Sequence, residues 1–423
     1  MTNIERPNTD CMLQFACLQQ LPRTMRTWKL SALSGANVLG LILILALDQT
    51  AATEPLNSRN AYVDLVLDPK SSASVLQGFK KKSTTAVIYM CYNRTFLIEP
   101  ALESILRSED LHEFDFIISQ DGGGSAAPLN PEVPNNINYG YIRHQENLNA
   151  GLHHFFMKQL VFEVLGYEHL IVVEEDVIIH PQAIQMLKFM LDMSLDDLEI
   201  GLVCIIDVDN SYFVDMRRYN ASVQRVSMPE GHLWVYGMHA TRYRAVRKHL
   251  LDYTELIRRE EYNDLHKDPL AAKIRAMYKR KGIPLNIPLS QDLNLQYSLR
   301  LEGFDRRLTT VARFMKPLGN WGLHFRDDKE TFFGRFGTEM FEGRVHLPPK
   351  ETSREDMKDM AQTCIAQLDE LFMGHLGRHP DEKAKSFAVS RLLGGSLNGI
   401  VLISCITQTA KRRTSDCRDT YWV

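Results

Sequence analysis

The sequence predicts an α/β protein on a mostly parallel central sheet with helices on both faces. Short apolar or β-branched runs alternate with stretches of helical periodicity, and the runs are too continuously apolar to leave one face in water. Each run also ends in polar or acidic residues, and in such sheets ligands gather beyond the carboxyl ends of the strands.

The elements follow in order. Ala86 to Cys91 (AVIYMC) is a strand that ends at Asn93-Arg94, after which Leu97, Ile98, Ala101, Leu102, Ile105 and Leu106 recur at helical spacing. Phe114 to Ser119 is a second strand, closed by Asp121 and three glycines, and Ile137 to Arg143 is a third. Leu152, Phe155, Phe156, Leu160 and Val164 mark a helix. Leu170 to Val173 is a fourth strand that stops at Glu174-Glu175-Asp176, and Pro181 opens the next helix where its missing N–H does no harm. Gly201 to Ile206 is a further buried strand.

A chain of 423 residues is more than one core usually supports, which predicts a catalytic domain of about 250 residues with terminal additions. The formal net charge of -3 gives no electrostatic reason to expect nucleic acid as a partner. Ser31 to Leu47 is uncharged and apolar, with Arg23, Arg26 and Lys29 before it and Asp48 and Glu54 after it. That flank fits a signal anchor with a cytosolic N-terminus. A cleaved leader beginning at Met25 is the rival reading, and both send the rest of the chain into the secretory lumen. The expected layout is a cytosolic tail over 1–29, an anchor over 30–47, a stem over 48–83, a catalytic domain over 84–345 and an extension over 346–423. The seven cysteines show no CxxC or metal-type spacing, so Cys91 and Cys204, each in an apolar run, are expected to be buried and inert.

Three carboxylates directly after a buried strand repel one another, and a chain tolerates that beside a core when a cation offsets it. Oxygen ligands of this kind suit Mn²⁺ or Mg²⁺, with water and a diphosphate completing the coordination. The alternative is a polar strand end that merely turns the chain.

The order of landmarks resembles the N-acetylglucosaminyltransferase I family, glycosyltransferase family 13, of the GT-A fold. They are CYNRTF at Cys91 to Phe96, ISQDGG at Ile118 to Gly123, YIRHQ at Tyr141 to Gln145 and VVEEDV at Val172 to Val177. The resemblance implies that Arg94 and Asp121 contact the nucleotide, that Asp176 is the direct metal ligand, and that Glu174 and Glu175 shape the donor site. His153 falls where the family carries a donor-side histidine; its other reading is a helix-surface histidine beside His154. After Asn210 the resemblance fades. PEGHLWVYGM at Pro229 to Met238 and LSQDLNLQYSLRLEGFDRR at Leu289 to Arg307 stand in place of the family's acceptor segments, and the second resembles the base-bearing segment of family 2 glycosyltransferases.

Asp292 is the candidate catalytic base. Leu293, Leu295, Tyr297 and Leu301 give the following helix a buried stripe, and an acid in its first turn is favoured by the helix dipole. A plain helix cap is the competing role. His324, in GNWGLHFRDD, either closes the metal site or is structural.

Two patterns are discounted. Gly122, Gly124 and Ala127 match a dinucleotide loop, but Pro128 and Pro131 follow, so no helix opens there. Of the sequons at Asn93 and Asn220, the first lies in the proposed donor loop, which leaves Asn220 as the credible glycan acceptor.

The expected activity is inverting transfer of a sugar, N-acetylglucosamine from UDP-GlcNAc, to a glycan or glycoprotein acceptor by a single-pass type II Golgi membrane enzyme. The alternatives are a family 2-like transferase with another nucleotide sugar, a nucleotide-sugar pyrophosphorylase, and a non-catalytic glycan- or metal-binding protein.

Overall fold

The computed structural model describes residues 58–76, 78–123, 127–195, 197–205, 223–228, 232–318, 339–345 and 347. The apolar span Ser31 to Leu47, Asn220, His324 and the C-terminal extension beyond 347 lie outside the described residues. Among the described residues no helix is long and apolar enough to cross a membrane.

Among the described residues ten strands form, named β1 (Thr85–Cys91), β2 (Asp115–Gln120), β3 (Asn138–Arg143), β4 (His169–Glu174), β5 (Val177–Ile179), β6 (Ile200–Cys204), β7 (Val223–Ser227), β8 (Val235–His239), β9 (Arg306–Thr310) and β10 (Met315–Pro317). Eight of them make one sheet in the order β3-β2-β1-β4-β8-β6-β9-β7. β1 to β4 are mutually parallel, β6 and β9 run the same way, and β8 and β7 run against them. The mostly parallel α/β sheet expected from the apolar runs is therefore present. Every residue of β1, β2 and β6 is buried, the physical reason those segments show no polar alternation.

Among the described residues the longer helices are α1 (58–67), α2 (Thr95–Leu106), α3 (Asn149–Gln159), α4 (Ala183–Ser194), α5 (Ala240–Ile257), α6 (Leu270–Lys281) and α7 (Gln291–Leu301). α3, α5, α6 and α7 pack among themselves, whereas α4 packs on β4, β6 and β8. Successive residues of a strand face opposite ways, and β8 shows both layers. Tyr236 meets α3 through Lys158, and a Cβ added at Gly237 would strike Val203 at 2.7 Å and Leu191 of α4 at 3.0 Å.

The stem expectation is corrected over its second half. Val63 and Val66 of α1 are fully buried, and Tyr62 Oη lies 2.9 Å from His144 Nδ1. Residues from Arg59 therefore belong to the compact unit that contains the sheet. The polar and proline content of 48–83 hid a helix whose apolar face is only two or three residues long. Cys91 and Cys204 are buried free thiols whose pKa values burial raises, as expected of inert cysteines.

Candidate active site

The site lies beyond the carboxyl ends of β1, β2 and β4. Because β1 sits between the other two, their exit loops stand roughly 10 Å apart across it. The loop after β1 latches onto the loop after β4: Tyr92 N donates to Glu175 Oε2 at 2.7 Å, and Arg94 Nε donates to Glu175 Oε1 at 2.6 Å. Arg94 also lies 3.5 Å from Asp176 Oδ2. Glu175 is thus buried as a structural clamp that positions Arg94, and Arg94 is engaged by carboxylates. On its far side Asp176 is pinned by Leu318 N, which donates to its carbonyl at 2.7 Å where β10 meets β5.

Asp121 is buried at the end of β2, where its Oδ1 accepts from Gly122 N at 2.9 Å and Leu148 N at 2.7 Å. It holds the start of α3 against the sheet, and burial raises its pKa to about 7. The glycine that follows has a steric cause: a Cβ on Gly122 would sit 1.9 Å from the carbonyl oxygen of His144. This supports discounting the dinucleotide pattern.

His153 lies in the core rather than on the helix surface. Its Nε2 lies 2.7 Å from Ser119 Oγ in the core and its ring packs edge-on against His144, so it does not face the acidic cluster. The neighbouring His154 does, with Nε2 3.0 Å from Glu174 Oε1. Sequence reasoning missed His154 because α3 is buried on nearly every side, which erases the amphipathic contrast that would orient it.

Asp292 is brought to the same place by one short loop. Glu174 N donates to Trp234 O at 3.0 Å, and Leu233 N donates to Asp292 Oδ2 at 3.3 Å. Asp292 is not the cap of α7: Ser290 takes that position and accepts from Leu293 N. Burial first, and the charge of Glu174 second, raise the pKa of Asp292. His154, Lys158, Tyr236, His232 and Trp234 complete the surroundings, and the last two stack at 4.8 Å. None of these five was given a role from sequence: Tyr236, His232 and Trp234 come in through the pairing of β8 with β4, and His154 and Lys158 from the buried helix α3.

The residues fit a divalent cation. Burial raises the pKa values of Glu174, Glu175 and Asp176, a penalty on their charged forms that a bound cation would offset, and the buried Asp176 Oδ1 has no hydrogen-bond partner. Among the described residues a separate group, Asp110, His112 and Glu113, has metal-like spacing, but it lies ahead of the amino end of β2 and His112 and Glu113 are exposed.

No known family profile and no curated protein sequence matches the chain. Among solved structures, it is similar to the mannosyltransferase PcManGT from Pyrobaculum calidifontis in complex with GDP-Man and Mn²⁺, with 12% identity over 87% of this chain and 86% of that one and a TM-score of 0.28. It is also similar to a protein of Desulfovibrio desulfuricans G20 assigned as a nucleotide-diphospho-sugar transferase, with 13% identity over 38% of this chain and 65% of that one and a TM-score of 0.25.

Proposed function

We propose that the chain is a divalent-metal-dependent glycosyltransferase of the GT-A kind, moving a sugar from a nucleotide-diphosphate donor to an acceptor hydroxyl with inversion. The observation that carries this reading is the loop over Leu233 and Trp234, which ties Asp292 to the acidic end of β4 although the two are far apart in sequence. The strand order, with four parallel strands running to β4 and an antiparallel β8 inserted beside it, supports the same reading.

Asp176 would hold the ion, with Glu174 beside it; when bound, the ion offsets the charge of the diphosphate leaving group. Arg94, held in place by Glu175, adds positive charge at that end of the site. Asp292 accepts the proton of the acceptor hydroxyl as that oxygen attacks the anomeric carbon from the face opposite the diphosphate, and a single base suffices. Burial, by raising its pKa, makes Asp292 a better proton acceptor than an exposed carboxylate.

The order of landmarks favours UDP-GlcNAc as donor and a glycan or glycoprotein as acceptor, and the N-terminal apolar span favours a Golgi membrane address with the catalytic unit in the lumen. The test is release of nucleotide diphosphate by the purified full-length chain from UDP-GlcNAc, other UDP-sugars and GDP-mannose, with and without Mn²⁺ or Mg²⁺. Turnover that ignores the metal, or none with any donor, rejects the reading.

A further inference from the structure

Arg59, at the start of α1, is buried, and backbone carbonyls hold its guanidinium. Nε donates to Asn147 O at 2.8 Å and Nη2 to Glu260 O at 3.3 Å, while Nη1 is buried without a hydrogen-bond partner. Burying a guanidinium with a donor unsatisfied costs stability, and packing α1 on the core needs only Val63 and Val66. The bond to Asn147 has a further consequence. The carbonyl of Asn147 and the N–H of Leu148 belong to one planar trans peptide group and point in opposite directions. That N–H donates to Asp121 Oδ1 at 2.7 Å. Arg59 therefore reaches Asp121 through a single peptide, gripped at its oxygen by the guanidinium and at its nitrogen by the carboxylate. A charged donor at one end polarises the peptide and strengthens the bond at the other. The same loop is fixed twice more. Tyr62 Oη lies 2.9 Å from His144 Nδ1, and Asn149 Nδ2 donates at 3.1 Å to Glu260 O, the carbonyl that Arg59 also holds.

We propose that Arg59 is a positioning residue for the donor's nucleotide, acting through the Asn147–Leu148 peptide to fix the carboxylate of Asp121 at the carboxyl end of β2. Part of the segment that the sequence marks as a stem then belongs to the donor site. That a nucleotide lodges at Asp121 rests on the proposed glycosyl transfer; the hydrogen-bonded link from Arg59 to Asp121 does not.

The experiment is calorimetric binding of UDP and of GDP, each with Mn²⁺, to the full-length chain and its variants. Arg59→Met should raise the Kd of the nucleotide that binds by about tenfold, and Arg59→Lys, which keeps the charge, by less than about threefold. In an Asp121→Ala background Arg59→Met should add less than about twofold, because the carboxylate it acts on is gone. Val63→Ala loosens α1 without touching the peptide; it should lower Tm and leave Kd within about twofold. Wild-type binding by a folded Arg59→Met protein overturns the proposal. So does an equal loss in Val63→Ala, or a full loss that persists in the Asp121→Ala background. Should these variants not fold, amide hydrogen exchange of the wild-type chain is read instead. Since the coupling is reciprocal, nucleotide should slow exchange across α1, and unaltered exchange there is equally fatal. Weakened nucleotide binding by Arg59→Met in a chain that turns over no nucleotide sugar rejects glycosyl transfer and leaves the positioning intact. Unweakened binding in an active enzyme does the reverse. In an active enzyme the donor KM of Arg59→Met should rise with its Kd, while kcat stays within about threefold.

Discussion

His154 Nε2 lies 3.0 Å from Glu174 Oε1, so the histidine that reaches the acidic end of β4 is the neighbour of the one whose position matched the family pattern. The two residues have different fates because successive positions on a helix point about 100° apart. His153 turns into the core onto Ser119, and His154 turns towards β4 and β8. His154→Phe should therefore lower nucleotide-sugar turnover by about a hundredfold through a misplaced Glu174, while His153→Asn should leave turnover within about threefold. Steady-state kinetics of the two variants distinguishes them, and equal losses would refute the assignment.

Asp292→Asn should reduce kcat by about 10² to 10⁴, the range a general base contributes, without weakening the binding of nucleotide diphosphate measured by calorimetry. The amide keeps the shape and can still accept from Leu233 N, so the loop should stay in place. Retained activity would remove Asp292 as the base.

The raised pKa values of Glu174 and Asp176 link metal binding to stability and pH. A carboxyl whose folded pKa lies above its unfolded value stabilises the fold while protonated, and that contribution is lost as pH rises through the folded value, about 8 for Glu174. Mn²⁺ should offset the loss, because it needs the deprotonated ligands. We expect saturating Mn²⁺ to raise Tm more at about pH 7.5 than at about pH 5.5, and Asp176→Asn to abolish the difference. A metal-induced shift of equal size at both pH values would contradict the site.

Burial depresses the pKa of His153 well below its usual value. Its contribution to stability is present above about pH 6.5 and is lost as pH falls below that value, because the unfolded chain takes up a proton that the core refuses. His153→Asn should destabilise at about pH 8 by roughly 1 to 3 kcal/mol through the lost Ser119 bond and packing. The deficit relative to wild type should shrink by about 1.4 kcal/mol per pH unit below about pH 6.5, measured by urea unfolding.

Removing residues up to 83 should destabilise the catalytic unit more than removal up to 57 does. The longer deletion strips Val63 and Val66, worth about 1.5–3 kcal/mol each. It also strips Arg59, whose Nε donates to Asn147 O at 2.8 Å beside the loop that holds Asp121. Thermal unfolding of the two truncations decides the point.

The strands at the centre of the sheet were legible because residues buried on both faces must be apolar, and a run of such residues needs no partner to be recognised. The apolar run Ala86 to Cys91 coincides with β1 except for Thr85, and Leu170 to Val173 lies inside β4, which extends it by His169 and Glu174. The acidic triplet was legible for the converse reason, since carboxylates against a buried strand contradict the composition around them. What only the tertiary structure decided was partnership. Pairing of β8 with β4 brings Leu233 between Glu174 and Asp292, α1 closes over a face that its sequence barely marks, and a rotation of one residue along α3 chooses His154 over His153. Local sequence encodes which residues must avoid water; which of them meet is set by long-range strand pairing and close packing, and neither leaves a periodic trace in the chain.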